Sequence, residues 1–301
     1  MLIGFQTFEA DAVTLRRQRL AGEALLRLDG VTPLNVQFRD GAAPSVPGIE
    51  TAAVLISDSR AATGATARTI RRKPIAREVF DVLASRAVAG GHRYFAFINA
   101  DIVVTPAAVR EIERRGRESY VISRSDVDDL ASRAPDGPPM TAGLDMFVVS
   151  AAWWQAHAGR FRPYIIGETC WDSVYTAMLM CHSSGIVLNR DPLIFHERHA
   201  PAWHARTPSA YYNGMLAALD SRYFSVWAQY WMQLEQLRAA GVTAAEEDAL
   251  QQRAFVWRPS PYQAARQIVR SVLAKRRYRR LRTLNHEPRT RNPEPGTRNP
   301  R

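Results

Sequence analysis

Apolar residues fall into two alternating rhythms along the first 115 positions. LIGFQTF (2–8), PLNVQF (33–38), TAAVLISDS (51–59) and YFAFIN (94–99) are short runs of strand formers. Between them lie stretches whose apolar positions recur three and four apart. DAVTLRRQRLAGEALLRL (11–28) is one, with Asp11 placed to cap its start and Gly30 to end it. A second follows RRK: Pro74 opens it, Val79, Phe80, Val82 and Leu83 share a side, and Gly90-Gly91 stops it. Thr105-Pro106 caps and starts a third, through Arg115, because proline at the first helical position loses no hydrogen bond. Strand and helix in alternation predict an α/β fold, an open, mostly parallel sheet with helices on both faces. AAVLI and YFAFI are apolar without alternation, as strands buried on both sides should be.

After residue 120 the rhythm loosens. YVIS (120–123) and DMFVVS (145–150) read as strands, and the polar, Pro- and Gly-rich stretch 125–143 between them reads as a loop able to close over a ligand. A helix is expected over 169–182, two short strands within 186–199, and a long amphipathic helix or helix pair over 209–241. In that last segment Tyr223, Trp227, Tyr230, Trp231 and Leu234 form a stripe that fits core packing. Residues 264–284 are basic and amphipathic, with Ile268, Val269, Val272 and Leu273 on one face. The remaining tail repeats TRNP without apolar content and predicts disorder. The division read from this is 1–205 as the main domain, 206–258 as an aromatic-rich helical extension packed on it, and 259–301 as basic segment and tail.

Composition narrows the picture. The chain has 301 residues, 46% apolar and 23% charged, enough for a real core. Its net charge of +11 suggests nucleic acid until it is located: 12 of the 40 Lys and Arg but only two of the 29 acids lie in 266–301. The body, 1–265, is near neutral at +1. No apolar run is long enough to cross a membrane as a helix. The start MLIGFQTFEADAV reaches Glu9 and Asp11 without a basic opening, so no secretory signal is expected. Two cysteines, Cys170 and Cys181, make no disulfide framework or zinc pattern, and a reduced, cytoplasmic chain is expected.

Candidate chemistry gathers at strand ends. Ligands of such sheets bind beyond the carboxyl ends of the strands, and Asp101 stands just past the fourth. A carboxylate there suits a divalent cation, Mn2+ or Mg2+, that binds phosphate oxygens; it equally suits a turn cap. Asn99 offers a further oxygen or a ribose contact. Asp145 precedes a strand, and Glu168 and Asp172 flank a helix start beside Trp171. These acids fit a sugar site, while a carboxylate in a first helical turn is also favoured by the helix dipole alone. FHERHAPAWH offers His196, His199 and His204. The spacing is not HExxH, so a zinc-protease reading fails; one histidine as an extra ligand to a phosphate-bound metal fits, and three surface histidines without a role fit equally well. SRAATGATARTIRRKP can hold a diphosphate through Arg71, Arg72 or Lys73, or be a solvated basic loop; it is neither a Walker loop nor GxGxxG.

The order IGFQTF, RRQRLA, NVQF, RRKPIAREVFDVL, YFAFINADIVV, GLDMFVVS, RPYIIGETCWDSV resembles the nucleotide-diphospho-sugar transferase superfamily, the GT-A type of glycosyltransferase, in a poorly characterised bacterial branch. The likeness spans residues 1 to 200. INADI looks like a single-Asp form of the family's DxD metal motif, with Asn99 where a full motif has an acid, which leaves metal dependence more open than fold. The resemblance implies a GT-A-like sheet, to which the helical pattern of 209–241 adds a helical C-terminal extension. It implies that Asp101, near Asn99, holds the metal and donor diphosphate. Thr7 and Phe8 would approach the nucleotide base, and Arg72 and Lys73 the donor phosphates. Asp145 and Trp171 would line the sugar or acceptor pocket, Asp172 or Glu168 would be the base of an inverting enzyme, and His196 a late metal ligand.

The function expected is therefore metal-assisted transfer of a sugar from a nucleotide-diphosphate donor to a hydroxyl of a glycan or lipid-linked acceptor. Two alternatives stand beside it: a non-catalytic sugar-nucleotide-binding protein, which Asn99 favours, and a binder of nucleic acid or anionic surfaces acting through the tail. The near-neutral body argues against nucleic acid. An anionic membrane, on its cytoplasmic face, suits the basic segment better.

Overall fold

The computed structural model describes residues 1–41, 44–60, 72–132, 135, 139–141, 143–168, 170–199 and 219–255, with 265, 269, 272 and 273. The first half runs β1 (Leu2–Phe5), α1 (Ala12–Leu26), β2 (Thr32–Phe38), β3 (Glu50–Leu55), α2 (Ala76–Ala89), β4 (Tyr94–Ile98), β5 (Ile102–Val104) and α3 (Pro106–Arg115). Then come β6 (Ser119–Ser123), β7 (Ser125–Val127), β8 (Leu144–Ser150), α4 (Ala151–His157), α5 (Trp171–His182), β9 (Ile186–Leu188), β10 (Ile194–Glu197), α6 (Ser221–Ala239) and α7 (Ala244–Ala254).

Seven strands form the main sheet in the order β3-β2-β1-β4-β8-β6-β9. Pairing is parallel from β3 through β2 and β1 to β4, antiparallel on both sides of β8, and parallel between β6 and β9. The mostly parallel α/β sheet expected from the rhythm is thus present. Strand order reverses at β1, with β2 on one side and β4 on the other, and a crevice opens beyond such a point. A second sheet, β5-β10-β7, sits beside it, with β10 antiparallel to β5 and parallel to β7.

The run YFAFI is buried throughout because each face meets its own core. Phe95 and Phe97 join the side of α2, while Tyr94, Ala96 and Ile98 join the side of α3, as period-2 alternation demands. Phe80 of α2 is fully buried and touches five rings, those of Phe95, Phe97, Phe147, Trp154 and Tyr175, at centroid distances of 5.1 to 6.2 Å. Gly4 lets α2 close on β1: a Cβ there would stand 2.2 Å from Leu83 Cδ2.

The caps read from sequence form. Asp11 accepts from Thr14 N at 2.8 Å, Thr105 accepts from Ala108 N at 3.2 Å with Pro106 next, and Gly90 ends α2. Two readings are corrected, and three elements appear that the sequence did not announce. The stretch 125–143 opens not as loop but as β7, whose Ser125 and Val127 are buried. Residues 102–104 are a strand, too short for periodicity to announce. Ala151–His157 and Ala244–Ala254 are helices. Trp231 leaves the expected stripe and is 40% exposed, while Tyr223, Trp227, Tyr230 and Leu234 are buried in the core shared with α5. Arg71, His204, residues 206–218 and most of 259–301 lie outside the described residues, as does part of the 125–143 stretch. No helix among the described residues is long and apolar enough to cross a membrane.

Candidate active site

Because β8 runs antiparallel to β4 and β6, its first residues lie at the same edge as their last. That geometry brings Asp145, at the start of β8, beside Asn99, just past β4, and Arg124, just past β6. Asn99 Nδ2 donates to Asp145 Oδ1 at 2.5 Å, and Arg124 Nη1 donates to Asp145 Oδ2 at 2.8 Å. Arg124 Nε donates to Asp126 Oδ1 at 2.9 Å. The same oxygen faces His196 Nδ1 at 3.0 Å. With a cation bound, a proton on Nδ1 donated to Asp126 would leave the Nε2 lone pair of His196 directed elsewhere, the arrangement that fixes a metal-binding imidazole.

Elsewhere is Asp101. His196 Nε2 and His199 Nε2 are 3.0 Å apart and lie 3.6 and 3.3 Å from Asp101 Oδ2. The three ligand atoms fall within 4.8 Å of one another, spacing that suits one cation. Burial would raise the Asp101 carboxyl, but the hydrogen bonds and charges of His196 and His199 outweigh it and hold the group well below the usual carboxylate range. The donor set is one oxygen and two imidazole nitrogens. It fits Mn2+, and fits Mg2+ poorly, since Mg2+ wants oxygen throughout.

β10 carries His196, and its position is fixed by the next residue. Glu197 is buried and takes Arg16 Nη2 at 2.6 Å and Arg17 Nε at 2.9 Å from α1, which hold its carboxyl in the ionised form against the effect of burial.

On the other side of β1 the loop after the strand is pinned. Thr7 is buried; its N–H donates to Asn35 Oδ1 at 3.1 Å and its hydroxyl to Pro44 O at 2.5 Å. Asn35 Nδ2 and Gln37 Nε2, from β2, donate back to Thr7. Gln18 clamps the backbone of Phe8, accepting from its N–H at 3.0 Å and donating to its carbonyl at 3.1 Å. The loop is therefore rigid, and the Thr7 hydroxyl is spent internally. Arg72 lies over the Phe38 ring at 4.2 Å and donates to Asp58 and Asp40 at 2.7 and 2.8 Å. Lys73 Nζ donates to Glu168 Oε1 and Gly167 O, both at 2.8 Å. The expected phosphate ligands thus stand paired with carboxylates.

Two left-handed residues, Gly167 at φ 75° and Cys170 at φ 70°, turn the chain into α5. Cys170 holds that conformation against a Cβ clash, the kind of local strain that persists where surroundings enforce it. Burial, with the Asp172 charge adding, pushes its thiol up to about 12, so it is no nucleophile. Asp172 follows in the first turn. Burial, opposed by hydrogen bonds from Ser173 and reinforced by the charge of Asp145, pushes its carboxyl up to about 6. That suits a proton acceptor working near neutrality. Trp171 is a correction: only 6% exposed, it packs against Phe97, Phe147 and Tyr175 and offers no face to a sugar.

The chain matches no protein-family model and no curated protein. It is similar to the crystal structure of S. aureus TarS 1-349 in complex with UDP-GlcNAc, at 9% identity, covering 96% of this chain and 93% of that one, with a TM-score of 0.50. The chain shares the overall fold of that TarS structure. Two further similar structures are the glycosyltransferase GlyE of Streptococcus pneumoniae TIGR4 (11% identity, 78% of this chain and 63% of that one, TM-score 0.36) and a glycosyltransferase involved in glycosylating the major capsid of PBCV-1 (11%, 67% and 95%, 0.36).

The sequence-named residues sort into groups. Asp101, Asn99, Asp145 and His196 belong to one hydrogen-bonded network. Glu168 and Lys73 form a pair, and Arg72 is held by Asp40 and Asp58. His199 is the third member of the metal-competent set, and its i+3 spacing from His196 was its signal. Arg124 and Asp126 were hidden by the polar look of SRSDVDD.

Proposed function

We propose that this chain is a glycosyltransferase that moves a sugar from a nucleotide-diphosphate donor to an acceptor hydroxyl, assisted by a divalent cation held by Asp101, His196 and His199. The observation that carries this reading is the convergence of those three ligand atoms at the carboxyl edge of the sheet, within 4.8 Å of one another. The fold is that of a protein whose crystal structure contains UDP-GlcNAc, which favours a uridine or similar nucleotide sugar as donor.

A cation in this set would offset the negative charge growing on the departing diphosphate. The chain's own residues do the rest. Asp145, fixed on both oxygens by Asn99 and Arg124, grips sugar hydroxyls. Asp172 takes the acceptor proton as the acceptor oxygen bonds to the anomeric carbon and the bond from that carbon to the phosphate oxygen breaks, its electron pair leaving with the diphosphate. The base role goes to Asp172 because Glu168 is committed to Lys73. Lys73 stays paired with Glu168, and the loop around Thr7 and Phe8 receives the nucleotide base.

The C-terminal segment rests on anionic membrane, on its cytoplasmic face, which suits a lipid-linked acceptor. Support comes from its basic residues and from Val269, Val272 and Leu273, which are exposed and spaced as one helical face. Deleting 264–301 should release the protein from anionic liposomes, and retained binding would overturn this part.

Calorimetric titration with UDP, GDP and their common sugar conjugates, with and without Mn2+, tests the donor site. Mn2+-dependent binding that disappears in Asp101→Ala supports it, and absence of any nucleotide binding refutes it. Turnover of the bound donor on acceptor addition separates the enzyme from a protein that binds the same donor without reacting.

A further inference from the structure

Arg124 stands where the chain leaves the large sheet for the small one, between β6 and β7. Its guanidinium spends one arm on each of two carboxylates. Nη1 reaches Asp145 at 2.8 Å, and Nε reaches Asp126 at 2.9 Å. Asp126 is the group that faces His196 Nδ1. The Arg124 backbone is pinned as well. Its N–H donates to Gly143 O at 2.8 Å and its carbonyl accepts from Met140 N at 2.8 Å. Gly143 leaves room for its stem: a Cβ there would stand 3.0 Å from Arg124 Cγ and 3.3 Å from Nε. Such a cradle fixes a planar fork far better than an exposed ion pair would, and a lysine has no second donor set at that spacing.

We infer that Arg124 is a positioning residue: through Asp126 it orients His196 toward the cation, and with its other arm it sets Asp145 toward the sugar. The inference rests on the donor-site reading above. Without the guanidinium, Asp126 loses the partner that aims its oxygen at Nδ1, and His196 is free to rotate or to carry its proton on Nε2, which cannot bind a metal. Loss of an outer partner of this kind commonly weakens metal affinity about 10- to 100-fold.

The test uses the full chain as wild type, Arg124→Met, Arg124→Lys, Asp126→Asn and the Arg124→Met/Asp126→Asn double variant. Each is titrated with Mn2+ alone and with UDP, and melted with and without Mn2+. Arg124→Met should bind Mn2+ about 10-fold or more weakly. Asp126→Asn should lose a similar factor, and the double variant no more than the worse single one, because the arginine acts through the aspartate. Arg124→Lys should regain part of the affinity. A lower melting temperature with unchanged Mn2+ affinity, or losses that multiply in the double variant, would overturn the inference while leaving the donor site standing. Wild type that binds neither Mn2+ nor UDP would remove the donor-site reading as well. Should Arg124→Met fail to fold, Arg124→Lys against Asp126→Asn decides the same question: normal Mn2+ binding in the lysine variant counts against the inference, and a partial loss supports it.

Discussion

Asn99 donates its side-chain amide to Asp145 across 2.5 Å, next in line after the cross-strand pair Ile98 and Met146. An acid at position 99 would meet Asp145 carboxylate to carboxylate. Asn99→Asp, which restores a full DxD, should therefore destabilise the protein by about 1–3 kcal/mol, the cost of losing a donor to a charged partner. It should not strengthen Mn2+ binding. Thermal unfolding and a Mn2+ titration check both; tighter Mn2+ with intact stability would show that Asn99 is a lost ligand rather than a partner of Asp145.

Asp172 sets a pH dependence. Burial and, to a lesser degree, the charge of Asp145 push its carboxyl up to about 6. A base must be deprotonated, so turnover should rise through that pH and fall below it. Asp172→Asn should cut the rate about 100- to 10,000-fold while leaving nucleotide binding intact. In Asp145→Asn the residual activity should titrate at lower pH, because a negative neighbour is gone. A pH profile flat from 5 to 8 in wild type would count against Asp172 as the base.

The donor set sets a metal preference. With two imidazoles and one carboxylate, Mn2+ should bind more tightly than Mg2+. His199→Ala should narrow that difference, since it removes a nitrogen that Mg2+ hardly uses. Calorimetry with both ions reads it directly, and equal Mg2+ and Mn2+ affinities in wild type would exclude the histidines as ligands.

Glu197 ties the small sheet to α1 through Arg16 and Arg17. Glu197→Gln should cost about 2 kcal/mol or more, because hydrogen bonds to charged groups are lost and Arg17, the more buried of the two arginines, is left without its counter-ion. Urea unfolding measures this. A change under about 0.5 kcal/mol would mean that the pair is no more than a surface contact.

Much of this was legible in the sequence. The buried run YFAFI, the caps Asp11 and Thr105-Pro106 and the stop at Gly90 announce themselves through local chemistry, and they fix the first four strands and three helices. Asp101 stood out because it follows a buried strand, although there it equally suits a turn cap. Arg124 and Asp126 were not, since nothing within SRSDVDD says that its arginine meets an aspartate 21 positions on and its aspartate a histidine 70 positions on. Trp171 misled for the opposite reason: beside two acids it looked like a sugar platform, but the ring is needed to fill the space between Phe97 and Phe147. Helices α4 and α7 were missed because one is a mere two turns long and the other is polar on most of its faces.

The metal-competent trio joins Asp101 to a histidine 98 positions further along the chain. Contacts of such sequence separation close large loops, and they form late in folding. A cation that needs both segments in place has little to bind in the folding transition state. Mn2+ should therefore leave the refolding rate nearly unchanged and slow unfolding instead, making the bound ion a brake on opening rather than a nucleus for collapse.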